Sequence, residues 1–413
     1  MRSFTLPNPS RKVSIMKKVF ALLMAAALAL SAFGCSEWQD PGKVLYLNCQ
    51  PQAAEAWQKL AAAYSDIYGV EVTVRTVAGE DCADAIGTAL SWEDAPTAFH
   101  FQNTGDLERF MDSCLDLTGS AVLGQMVTGS FNLTDGGAVR ALCYSYDAFG
   151  LLVNKELLTA AGYKTEDITD FYTLKTVAED IHSRREELGF DAFALMTQDS
   201  PTAWVLAELA QFYDDREADG LNHLRQVLDL YGENYSPKAT RSTVDAGLDQ
   251  FAQGQAVFCQ HSAAIFDILL AEPYNMQSEN LTILPLYCGA EEEEAAALCC
   301  VPKNYWAVNS QASEADRAAT LDFLNWVVTS EYGISVLQEH YGGVPFKAAS
   351  ATKNTLYGVS NDLLAKGNYP MALEEEKDAQ RQAAIAAAVA EYVADRTNEN
   401  WQKFRETYGA DRA

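Results

Sequence analysis

Residues Gly137 to Gly162, GAVRALCYSYDAFGLLVNKELLTAAG, constrain this chain more than any other stretch, because one run joins a strand, a turn and a helix start. Val139 to Tyr144 is rich in β-branched and aromatic residues and reads as a strand. Leu151 to Val153 resumes the apolar run, and Asn154 then caps a helix that ends at Gly162. Between them, Tyr144, Ser145, Tyr146 and Asp147 set two amphipathic rings and a carboxylate where the strand leaves its sheet. That grouping suits a sugar, whose C–H face stacks on a ring while its hydroxyls donate to a carboxylate. It equally describes a strand edge with exposed tyrosines.

With 413 residues, 48% of them hydrophobic, the chain exceeds one ordinary core and suits two lobes. Arg11, Lys12, Lys17 and Lys18 precede an apolar stretch from Val19 to Phe33 that is too short to span a bilayer as a mature helix. It reads as a signal peptide over residues 1–34, of ordinary length if counted from Met16. Ser31-Ala32-Phe33-Gly34-Cys35 looks like a bacterial lipobox, with Cys35 lipidated as the new amino terminus and residues 35–42 as a polar tether. Cleavage there removes five basic residues and no acidic one, which moves the formal charge from -27 to -32. So acidic a surface repels nucleic acid and anionic lipid headgroups and serves solubility. Of nine cysteines, eight remain after lipidation; Cys288 and Cys299 flank an acidic run, GAEEEEAAAL, that reads as a hairpin tip, so they are placed to pair. Adjacent Cys299 and Cys300 point to opposite faces of a strand.

Strands over Lys43–Asn48, Val70–Val77 and Thr97–Phe101 alternate with helices over Pro51–Tyr68 and residues 81–91. This alternation argues for a mostly parallel sheet with ligand groups at the strands' carboxyl ends, where Asn48, Gln50, Glu80, Asp81, Gln102 and Asn103 fall. A helix near Thr173–Leu188, strands near Phe193–Met196, Leu281–Tyr287 and Leu298–Val308, a helix over Ala318–Thr329 and a helical tail from Leu373 to Tyr408 complete the outline.

In order and spacing these motifs resemble the extracellular solute-binding proteins of ABC importers, especially the carbohydrate-binding, maltose-type group. Leu142, Tyr144, Leu151, Asn154, Lys155, Leu157, Ala161 and Gly162 match that family's G-L-P-Y-x-x-x-x-x-L-x-Y-N-K-x-L-x-x-A-G run; Cys143 and Val153 depart from it. Phe251 to Phe258 resembles the F-x-x-G-x-A-A-M signature, although Ser262, Ala263 and Ala264 replace its usual Gly-Ser-Trp and His261 stands just before them. Phe323, Leu324, Ser330, Glu331 and Gly333 carry a further helix motif, and Gly342-Gly343-Val344-Pro345 resembles the G-x-x-P hinge.

The resemblance implies an α/β, two-lobed fold of the type II periplasmic-binding-protein kind, with mixed, mostly parallel sheets and hinge crossovers near Asp147, Val301 and Gly343. Residues 43–147 with 303–344 would make the N-terminal lobe, and 148–302 with 345–413 the C-terminal one. It implies a lipid-anchored monomer that holds a sugar between its lobes and hands it to permease subunits of an ABC importer, with no cofactor or metal. Asp147 would accept hydroxyl protons, and Tyr144, Tyr146, Trp204, Tyr305 and Trp306 would stack on the ring. Gln102, Asn103, Asp81 and His261 complete the expected ligand set. A binding protein for a polyamine or peptide, or a surface or sensor lipoprotein without a transport role, fits the same outline. Enzyme motifs are absent: there is no G-x-S-x-G, H-E-x-x-H, Walker loop or G-x-G-x-x-G after a strand, and the five histidines fall in unrelated contexts.

Overall fold

The structure, a computed structural model, describes residues 40–78, 82–196, 205–206, 220–235, 245–350, 352–372 and 379–409. Strand β1 (Lys43–Asn48) pairs in parallel with β2 (Glu71–Thr76) and with β3 (Ala98–Phe101). The helix Ala54–Tyr68 buries Ala56, Trp57, Leu60, Ala61 and Tyr64, a stripe at spacings of three and four that faces the sheet side of the core. Gly69, at φ 71°, ends it in the left-handed conformation that a residue without Cβ adopts at little cost.

The remaining strands are β4 (Leu133–Asp135), β5 (Ala138–Asn154), β6 (Asp191–Phe193), β7 (Ala256–Ser262), β8 (Leu281–Leu284), β9 (Ala296–Val308) and β10 (Tyr369–Ala372). They form one mixed sheet in the order β2-β1-β3-β9-β5-β7-β6, with β10 on β9 and with β4 and β8 on β5. Pairs at the two ends of this order are parallel, whereas β9 and β5 run antiparallel to β3, to each other and to β7.

The expected turn at Tyr144 to Asp147 is not a turn. Those residues lie inside the 17-residue strand β5, because β9 offers pairing partners in one unbroken register from Leu142 opposite Trp306 to Phe149 opposite Cys299. A backbone that finds its hydrogen bonds across a partner strand has no reason to leave the sheet. One rung is missing, Tyr144 opposite Asn304, and Asn304 there holds φ at 57°. Asn154 caps the next helix as expected, its Oδ1 accepting from the Glu156 and Leu157 amides.

Two hydrophobic cores share these strands. Tyr146 and Ala148 of β5 and Leu298 and Cys300 of β9 join a core with Trp57, Phe99, Phe323 and Leu337. Phe149, Leu151 and Val153, with Cys299 and Val301, join the other, built on Leu158, Phe171, Phe258, Val389 and Phe404. Both faces of Ala141–Tyr144 and of Tyr305–Val308 lie in the first core; beyond Asp147 and Val301 the period of two splits the strands between the cores, and Cys299 and Cys300 fall on opposite sides. Gly343 lies against β5: its carbonyl accepts from the Tyr146 amide at 2.9 Å, and a Cβ there would lie 2.5 Å from the Tyr146 carbonyl oxygen.

The cysteine expectation is corrected. Cys49 bonds to Cys82, tying the end of β1 to the first turn of the helix Cys82–Ala89, while Cys288 and Cys299 are buried and not bonded to each other. The acidic run does not project as a hairpin tip. Glu293 turns inward, 3% exposed, and its carboxylate accepts from the amides of Phe171, Cys288 and Gly289. Those three bonds organise the loop, although burial still raises the acid's pKa.

Candidate functional site: the floor at the crossovers

Polar side chains gather where one face of β5 and of β9 passes from the first core to the second. Ser145 lies opposite Lys303, and Asp147 is the diagonal neighbour two residues on, so all three share a face. The Lys303 ammonium donates to the Asp147 carboxylate at 2.5 Å, and the two side chains keep 33% and 29% of their surface exposed. Asn304 extends this group towards the end of β1. Its Oδ1 accepts from Gln50 Nε2 at 2.6 Å, and its Nδ2 donates to Ser145 Oγ at 2.8 Å. Asn48 holds Gln50 in turn, accepting from the Gln50 amide and donating to its carbonyl. A left-handed backbone costs a side-chain-bearing residue free energy, and Asn tolerates it best. Here it aims the carboxamide between β1 and β5.

The rings expected to stack on ligand are placed differently. Tyr144, Tyr146 and Trp306 have no exposed surface and Tyr305 keeps 4%. Tyr144 stacks on Trp306 with centroids 4.4 Å apart and its hydroxyl meets His100 Nδ1 at 2.8 Å, while Trp57 meets both rings edge-on. Tyr146 donates to Asn361 Oδ1 at 2.7 Å. The expectation that these four offer faces to a solute is corrected. Tyr144, Tyr146 and Trp306 share one strand face and Tyr305, opposite Cys143, lies on the alternate face with Ser145 and Lys303; all four rings pack into the first core. Desolvation holds the Tyr144 and Tyr146 phenols well above their usual pKa and lowers that of His100 to about 3.

Residues 59–364, well over half of the chain, match the family described as bacterial extracellular solute-binding protein. The chain belongs to that family. Its fold is similar to solved structures at low identity. The bacterial solute receptor AcbH, described with an exclusive preference for b-D-galactopyranose, shares 12% identity at a TM-score of 0.66, covering 89% of this chain and 98% of the other. A family 1 extracellular solute-binding protein of Alicyclobacillus acidocaldarius shares 14% at 0.67, with 90% and 99% covered. The cyclic alpha-maltosyl-1,6-maltose binding protein of Arthrobacter globiformis shares 17% at 0.57, with 89% and 98% covered. No curated protein sequence matches the chain. The two-lobed α/β architecture expected from the sequence is therefore that of this solute-binding protein.

The other expected ligand residues scatter. Gln102 is exposed at the end of β3. Asn103 is committed as a helix cap: its Oδ1 accepts from the Gly105 amide, and Asp106 closes the box. His261, 6% exposed, accepts from the Ser262 amide on Nδ1, which leaves Nε2 facing Asp245 at 3.7 Å. Burial lowers the His261 pKa and raises that of Asp245, so the pair tends to its neutral form. Asp245 and Gln260, with Phe193, Leu195, Met196 and Tyr231, line a small recess of about 20 Å³ beside β6 and β7. Asp81, Trp204 and Cys35 lie outside the described residues. Among the described residues no helix is long and apolar enough to cross a membrane, and no cluster of three or more His, Cys, Asp or Glu is placed to hold a metal ion.

Sequence alone does not single out Ser145, Lys303 and Asn304 as candidates. Lys303 and Asn304 stood inside LCCVPKNYWAV, a segment singled out for its aromatic pair. Alternation from Asp147 would have found Ser145, but setting Lys303 beside it needs the register between two distant strands.

Proposed function

We propose that this solute-binding protein captures an uncharged carbohydrate over the polar floor at its crossovers and delivers it to an ABC importer. The observation that carries the reading is that Asp147 and Lys303, about a third exposed, lie together where one face of each long strand passes from the first core to the second. Backbone movement there swings one lobe against the other, so a solute bonded to the floor couples its own binding to closure by a hinge about Asp147, Val301 and Gly343. A carboxylate and an ammonium side by side accept from and donate to hydroxyl groups. The sugars in the descriptions of AcbH and of the Arthrobacter protein agree with this chemistry. Attachment through a lipidated Cys35 belongs to the same proposal; Cys35→Ala should then move the protein out of the membrane fraction, and unchanged detergent-dependent fractionation counts against it.

A panel of mono- and oligosaccharides scored by thermal shift tests the ligand class, since a solute that binds only the native state raises the unfolding midpoint. A midpoint that no sugar moves would sink the carbohydrate reading.

A further inference from the structure

We propose that Lys303 is a specificity-determining residue: a cation built into the chain, it neutralises Asp147 and so excludes cationic solutes from the floor. The inference rests on the reading of the crossovers as the solute site and adds the charge class that the site accepts.

The protein carries a formal charge of -27, which draws cations towards its surface. A floor built for a polyamine would present unpaired carboxylates. Asp147 is instead paired at 2.5 Å with an ammonium from the facing strand. The backbone of Lys303 is pinned on either side of that contact. Its carbonyl accepts from Ser145 Oγ at 3.1 Å, and the next residue, Asn304, is tied to Gln50 and Ser145. An incoming ammonium must therefore displace a tethered one that pays little entropy to remain, or sit beside a like charge. A hydroxyl group meets neither obstacle, because it donates to the carboxylate and accepts from the ammonium. Asp245, the acid at the ends of β6 and β7, faces His261 and is held towards its neutral form by burial, so it offers a cation little.

The test uses spermidine as probe in calorimetric titrations at physiological salt, with wild type, Lys303→Met, Lys303→Gln, Asp147→Asn and the Lys303→Met/Asp147→Asn pair, each checked for a cooperative melt. Wild type should bind spermidine weakly. Either single Lys303 variant should bind it at least about tenfold more tightly, a modest figure for a relieved like-charge contact that is partly screened. The gain should vanish in the double variant. Spermidine bound by wild type as tightly as by the folded Lys303 variants, or a gain that survives loss of Asp147, overturns the proposal. Failure of every sugar in the thermal-shift panel would sink the carbohydrate reading and leave this result standing on its own.

Discussion

Tyr144, Tyr146 and Trp306 alternate along the crossover strands with Ser145, Asp147 and Lys303, yet the two sets live in different worlds. The rings are sealed in an aromatic core, stacked and edge-packed on Trp57 and Phe346, while Asp147 and Lys303 keep about a third of their side-chain surface in water and Ser145 lies buried beside them. One residue of offset decides the difference, because neighbours in a strand point to opposite faces. The same short segment thus packs rings on one face and gathers polar groups on the other, and a substitution should reveal which face it struck.

The largest expected effect is on the buried face. Trp306→Ala should cost about 3 to 5 kcal/mol of unfolding free energy, the usual range for deleting a buried aromatic side chain. Any loss of solute binding should follow the fraction unfolded. A stable Trp306→Ala that has lost binding selectively would return the ring to the site.

Acid attacks the same face. An unfolded histidine takes up its proton near pH 6.5, but buried His100 does so only near 3, so the unfolded chain binds more protons across that window. Stability should fall as pH drops from 6.5 towards 3, by up to roughly 4 kcal/mol from this residue. Denaturant melts of wild type and His100→Gln over that range check it; parallel curves would mean that His100 is not the sensor.

The contact of Gly343 with β5 comes next. Gly343→Ala would force a Cβ against the Tyr146 carbonyl and should cost about 1 to 3 kcal/mol, with Tyr146 shifted. The smallest effect falls on the polar face. Asn304→Gly keeps the left-handed backbone and loses the carboxamide contacts, whereas Asn304→Ala loses both, so the alanine variant should be less stable than the glycine one by about 1 kcal/mol. Equal melting midpoints would show that the φ of Asn304 carries no strain.

Much of this was legible in the sequence. An apolar run located β1, alternation located β2 and the one-sided stripe located the Trp57 helix, because each depends on neighbours within a turn or two. Asn154 declared its cap for the same reason. What failed was whatever depends on a distant partner. The turn at Tyr144 to Asp147 vanished because β9 supplied a continuous register. Cys49 found Cys82 across the fold, and the acidic run folded inward around Glu293. Asp147 was picked by its composition and its matching position, but its lysine was not, since only the register between β5 and β9 brings Lys303 to it.

The central claim is that the polar face of the crossovers holds the solute. Calorimetric titration of wild type and Asp147→Asn, with whichever sugar gives the largest thermal shift, measures it most directly. A hydrogen bond to a charged acceptor contributes about 1.5 to 3 kcal/mol, so the variant should bind roughly 10- to 150-fold more weakly while melting as a folded protein. Wild-type affinity in the folded variant would contradict the account and move the site away from the crossovers.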